Sequence, residues 1–199
     1  MDNIGKWGLL VIDMEKAFVE PGAAHCILQA KETVPNCARV IEIARARKIP
    51  VFWIKRIYRE DGTDVEYTRW KRWNDAGGTL GPNSVGINSI EEPEGLKREP
   101  GDFTIIKPRW SGFFQTELDL ILRRLGIKNL ILIGTTTPNC VRTTCYDGIA
   151  LDYGVLVVSD CCSSQTEEIQ RVNLEDMERI GAKIIKSEDL IEKIGEKRQ

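Results

Sequence analysis

Short apolar runs, each followed by a turn and then by helical spacing, constrain this chain more than any other feature. The runs are Trp7-Gly8-Leu9-Leu10-Val11-Ile12, Val51-Phe52-Trp53-Ile54, Phe103-Thr104-Ile105-Ile106, Leu130-Ile131-Leu132-Ile133, Gly154-Val155-Leu156-Val157-Val158 and Ala182-Lys183-Ile184-Ile185. They are apolar without alternation, as strands are when both faces are covered. Between Val34 and Lys48, residues Val34, Cys37, Ala38, Ile41 and Ala44 share one helical face. Further helices are predicted from Thr116 to Leu125, from about Asn139 to Leu151 and from Gln165 to Ile180, and Ser187-Glu188-Asp189 opens a short last one. Strand–helix alternation of this kind predicts an α/β fold, a three-layer α-β-α arrangement around a mostly parallel, Rossmann-like sheet.

The chain has 199 residues, and 1–199 reads as one domain. The stretch at about 56–100 is different: polar, rich in Gly, Pro, Asp and Trp, and without regular pattern. A long insertion after a strand end is a functional lid or an oligomer contact. Net charge is −2 with both signs dispersed, which gives no footprint for nucleic acid or membrane. No apolar run is long enough to span a bilayer. Met1-Asp2-Asn3-Ile4-Gly5-Lys6 lacks the apolar core of a signal peptide, so a cytoplasmic location is expected. The six cysteines, Cys26, Cys37, Cys140, Cys145, Cys161 and Cys162, show no C-x-x-C spacing. A disulfide framework is not needed by a chain of this size. Cys161 and Cys162 read as core or turn residues, with a vicinal redox pair as the alternative.

Ligands of open parallel sheets bind beyond the carboxyl ends of the strands. Asp13, Lys107 and Cys140 lie at three such ends. Cys140 follows Gly134-Thr135-Thr136-Thr137-Pro138-Asn139, a turn that opens a helix. A thiol there meets exposed backbone N–H groups and the positive helix end, which favour a thiolate and can cradle an oxyanion. Lys107 would favour the thiolate further, and Asp13 can take the thiol proton and return it to a leaving amine. Taken singly, each residue also has a plain structural reading: a turn, a solvated strand end, a small buried side chain.

Four segments carry a resemblance: Leu9 to Phe18, Ile106-Lys107-Pro108-Arg109-Trp110-Ser111-Gly112-Phe113, Gly134 to Val141, and Leu151 to Asp160. In order and spacing the chain resembles the isochorismatase-like cysteine hydrolase superfamily. The resemblance implies an Asp13–Lys107–Cys140 triad and a cis peptide at Thr135-Thr136. It implies an oxyanion hole from the N–H groups of Thr136 and Cys140. It further implies hydrolysis of a C–N bond in a small amide, carbamoyl or ureido substrate through a thioester, and assembly as a homo-oligomer, dimer or tetramer.

Members of that superfamily with nicotinamidase activity carry an Asp-x-His metal motif after the second strand. Trp53-Ile54-Lys55-Arg56 stands there instead, and His25 is the only histidine, so neither metal nor cofactor is expected. His25 reads as a loop or subunit-contact residue. Members with isochorismatase activity lack the cysteine, which argues against vinyl-ether cleavage here. Tyr58-Arg59-Glu60-Asp61-Gly62-Thr63-Asp64 is similar to the polar loop of the carbamoyl and ureido hydrolases. By position, Phe18, Arg109 and Trp110 are the candidate substrate-binding residues. Phe18 would give an apolar wall and Arg109 a fork for a carboxylate, or else a surface salt bridge. Trp70 and Trp73 would close the pocket as a lid or, the reading favoured by the sequence, pack on another subunit.

Other classes remain open at this level. A thiol or redox sensor is one, although Cys140 and Cys145 lie about 500° apart on a helix and face different ways. A nucleotide-binding module is disfavoured, because Asp13-Met14-Glu15 replaces a glycine-rich turn. A protein of the same fold without hydrolase activity, acting as an oligomeric scaffold, is the other.

Overall fold

The computed structural model describes residues 6–195. Most of the Met1 to Lys6 stretch that lacked a leader pattern therefore lies outside the described residues, as do 196–199. Six strands form one parallel sheet: β1 (Lys6–Ile12), β2 (Val51–Arg56), β3 (Phe103–Lys107), β4 (Ile127–Thr135), β5 (Gly154–Ser163) and β6 (Lys183–Ile185), in the order β3-β2-β1-β4-β5-β6. The chain winds outward from β1 to β3 and then crosses to β4 on the other side of β1. The order reverses between β1 and β4, and their carboxyl ends border the crevice such a reversal opens.

Side chains on β1 alternate between two cores, as the pleat requires. Leu9 and Val11 face α1 (Ala30–Ala46) and the last helix (Leu190–Gly195). Leu10 and Ile12 face the helices Leu118–Arg124, Arg142–Ala150 and Glu167–Arg179. The sheet is thus covered on both sides, and this explains its unalternating apolar strands. Several elements run longer than their apolar signal. α1 starts at Ala30, before Val34, and carries Pro35 in its second turn. β2 continues through Lys55 and Arg56 because both charged heads are buried with partners, Glu92 and Glu66. β5 continues through Cys161 and Cys162, both buried core residues of the strand. All six cysteines are free thiols.

The 56–100 insertion is not a detached loop. It holds a short helix, Trp70–Asp75, and a single 3₁₀ turn, Gly86–Asn88. Tyr58, Val65 and Leu80 from it pack with Ala17, and Phe18 and Trp73 lean on that cluster. Trp73 meets Tyr58 edge-on at 6.3 Å and donates its indole N–H to the Thr79 carbonyl at 2.7 Å. Trp73 is thus half-buried against its own chain, and Trp70 is exposed. No helix among the described residues is long and apolar enough to cross a membrane.

Candidate active site

Asp13 ends β1 with φ +48, a left-handed conformation that Asp and Asn enter more readily than most residues. Its backbone N–H is fixed on the Ile54 carbonyl at 2.8 Å. Lys107 ends β3, two strands away. At about 4.8 Å per strand, only a long side chain crosses that gap. The Lys107 ammonium donates to Asp13 Oδ2 at 2.8 Å, to the Cys140 sulfur at 3.4 Å and to the Arg109 carbonyl at 3.2 Å. The three residues read from separate strand ends meet at one point.

Cys140 comes from the turn after β4. Gly134 there has φ +115, and a Cβ on it would lie 2.0 Å from the Ile12 carbonyl oxygen. Only glycine lets β4 pass this close to the end of β1. The Thr135–Thr136 peptide is cis. Thr137–Val141 then forms one wide π turn, closed by the Val141 N–H on the Thr136 carbonyl at 3.2 Å, before the α-helix Arg142–Ala150 begins. Cys140 thus sits inside that turn and not on the first residue of an α-helix, and Thr136 and Cys140 open on the same cavity.

The electrostatics overturn one expectation. The turn and Lys107 were expected to favour a thiolate, yet burial and then the Asp13 carboxylate push the Cys140 thiol up to about 12, against the pull of Lys107 and Arg56. Cys140 therefore rests as a thiol, and service as a nucleophile would require a base. Asp13 Oδ1 is buried without a hydrogen-bond partner. That free acceptor is where a thiol proton can go. Burial works against the Lys107 charge, but Asp13 and then Cys140 outweigh it and hold the ammonium above its ordinary value. Glu15, fully buried two residues on, is driven well above the carboxylate range by burial and then by Asp13. Its Oε1 accepts the Arg56 backbone N–H at 2.8 Å.

A cavity of about 220 Å³ opens above Cys140. Phe18 and Trp110 line it, and so do Asp13, Thr136, Asn139 and Gln165. Arg109 does not. Its guanidinium donates to the Asp64 and Pro108 carbonyls at 2.6 and 2.7 Å and borders a separate apolar cleft. The cavity's cations are Arg56, Arg69 and Arg72, which sequence reasoning passed over. Arg56 was discoverable: it is the register partner of Lys107 on the neighbouring strand. It donates to Glu66 and to the Tyr58 hydroxyl, and lies 5.2 Å from the Trp110 ring centre. His25 lies in a loop, as expected, and that loop also brings it onto the cavity wall. It donates to or accepts from the Thr79 hydroxyl at 2.8 Å and packs on Phe18. Burial, then Arg69, Arg72 and Arg56, lower it to about 4, so it is neutral near pH 7. Among the described residues, no group of three His, Cys, Asp or Glu side chains is placed to hold a metal ion.

The model of the isochorismatase domain matches residues 8–189. The chain belongs to the isochorismatase family. An Arabidopsis thaliana protein named "Probable inactive nicotinamidase" is 42% identical over 177 residues, covering 88% of this isochorismatase-family chain and 89% of its own. The ureidoacrylate amidohydrolase RutB of Azorhizobium caulinodans is 32% identical over 197 residues, covering 85% and 82%. Among solved structures, an isochorismatase family protein from Desulfovibrio vulgaris superposes with a TM-score of 0.91 at 35% identity, covering 96% of this chain and all of that one. The six-stranded parallel sheet with helices on both faces is the fold of these isochorismatase-family neighbours.

Proposed function

We propose that this isochorismatase-family protein is a metal-independent cysteine amidohydrolase that cleaves a C–N bond in a small amide, carbamoyl or ureido compound. One observation carries the reading. A thiol, an ammonium and a carboxylate with a free acceptor oxygen converge from the carboxyl ends of three different strands. The RutB relative, a ureidoacrylate amidohydrolase by name, supports the substrate class.

The chemistry follows from the placement. Asp13 Oδ1 takes the thiol proton, and the Cys140 sulfur adds to the substrate carbonyl carbon. The oxyanion is held by the N–H groups of Thr136 and Cys140, a role worth about 3–4 kcal/mol per donor in comparable sites. Collapse breaks the C–N bond, and Asp13 returns its proton to the departing nitrogen. Water, deprotonated by Asp13, then splits the thioester, and the sulfur leaves as the thiol. Throughout, Lys107 keeps one positive charge beside whichever of Asp13 and Cys140 is negative. The relative named as an inactive nicotinamidase is compatible with this reading, since Lys55-Arg56 here stands where the Asp-x-His motif of metal-dependent nicotinamidases would be.

An ammonia-release screen over small amides, ureas and N-carbamoyl acids tests the proposal. At least one substrate should turn over, and Cys140→Ala and Cys140→Ser should abolish that turnover without loss of the folded far-UV and thermal signature. Undiminished activity in either variant would reject the assignment, and absence of turnover across the screen would favour a silent member of the fold.

A further inference from the structure

The Cys140 cavity holds more positive charge than the proposed chemistry uses. Asp13 is the only acidic residue on its wall, against Arg56, Arg69 and Arg72. Asp13 is already matched by Lys107, and Arg56 by Glu66. Arg69 and Arg72 are not matched. Among the described residues, neither guanidinium has a hydrogen-bond or ion-pair partner; Arg69 is half-buried and Arg72 exposed. The two stand three residues apart at the start of the short helix Trp70–Asp75, a spacing that puts them on one face. The insertion packs through Tyr58, Val65 and Leu80 against Ala17, and Arg69 and Arg72 line the same cavity as Cys140.

Two unmatched guanidinium groups on one wall are a site for an anion, and their planar forks suit a carboxylate best. The same cavity also carries the apolar side chains Phe18, Ile27, Leu80 and Trp110, which suit a short carbon chain. The volume, about 220 Å³, lies below the roughly 300–1,000 Å³ of pockets for drug-sized ligands, so the chain must be short. Resting on the hydrolase reading, we propose that Arg69 and Arg72 form a carboxylate subsite. The substrate is then a small acid, with its scissile carbonyl at Cys140 and its carboxylate under the 56–100 insertion. Arg109, committed to two backbone carbonyls, takes no part.

Calorimetric binding to the Cys140→Ser variant tests this without turnover, so its outcome is independent of whether the hydrolase assignment holds. The probes are 3-ureidopropionate and its neutral isostere 3-ureidopropionamide, with inorganic phosphate as a competitor. The acid should bind at least about tenfold more tightly than the amide, and the preference should shrink as salt rises. Adding Arg69→Met and Arg72→Met together should bring the two within about threefold, while the amide's affinity stays unchanged. Single Arg69→Met and Arg72→Met variants, each losing part of the preference, give the same answer if the double variant does not fold. Equal binding of acid and amide, no binding of the acid, a preference that survives the substitutions, or displacement by phosphate at equal concentration would overturn the proposal.

Discussion

The Lys107 ammonium reaches past the whole width of β2 to lie 2.8 Å from Asp13 Oδ2, with neither side chain open to solvent. A buried pair of this kind is not a device for stability, since two desolvated charges scarcely recover their hydration. Breaking it is another matter. Lys107→Met leaves the Asp13 carboxylate alone in the interior and should cost about 3–5 kcal/mol in urea unfolding, together with turnover. Adding Asp13→Asn should return much of the stability and none of the activity. A Lys107→Met protein as stable as the parent would show that the pair is not held as described.

The raised Cys140 thiol makes a prediction opposite in sign to that of a preformed thiolate. Alkylation by iodoacetamide, mapped to Cys140 by mass, should be slow near pH 7 and climb as pH approaches about 12. Because Asp13 raises the thiol, Asp13→Asn should make the same labelling faster at pH 8 even as hydrolysis is lost. Slower labelling in that variant would contradict the charge arrangement.

Glu15 links stability to pH. Its folded-state value stands above its unfolded one, so between the two the native state holds a proton that the unfolded chain has released. The native state binds more protons there, and stability falls as pH rises through that window. Glu15→Gln is a neutral replacement of the same shape and removes the dependence. The variant's melting temperature relative to the parent should therefore increase from pH 4.5 upward. A constant difference across the range would mean that Glu15 is ionised in the fold.

Gly134→Ala should fail outright. The new methyl would overlap the Ile12 carbonyl, and φ +115 admits no ordinary side chain. A loss of more than about 4 kcal/mol, or no folded protein, is expected. Recovery of a normally stable protein would show that β1 and β4 can part at this point.

What was legible follows from what each feature depends on. Asp13, Lys107 and Cys140 were readable because strand ends are set by local pattern and parallel sheets collect them on one edge. Arg69, Arg72 and His25 were not. They reach the cavity only because Tyr58, Val65 and Leu80 fold the insertion back onto Ala17, and a segment without periodicity does not announce its long-range partners. The choice between Arg56 and Arg109 turned on which side chain the backbone aims inward, and adjacency to Lys107 in sequence was a poor guide to that. The thiol's protonation depended on the extent of its burial, which composition and spacing do not reveal.

β3, the strand that ends in Lys107, pairs along one side only, with β2, and Ile106 on it is 53% exposed. Sheet borders open at lower free energy than sheet centres. The ammonium that the proposed reaction relies on is therefore moored to one of the two borders of the sheet, and competence should fade in mild denaturant while the central strands still hold.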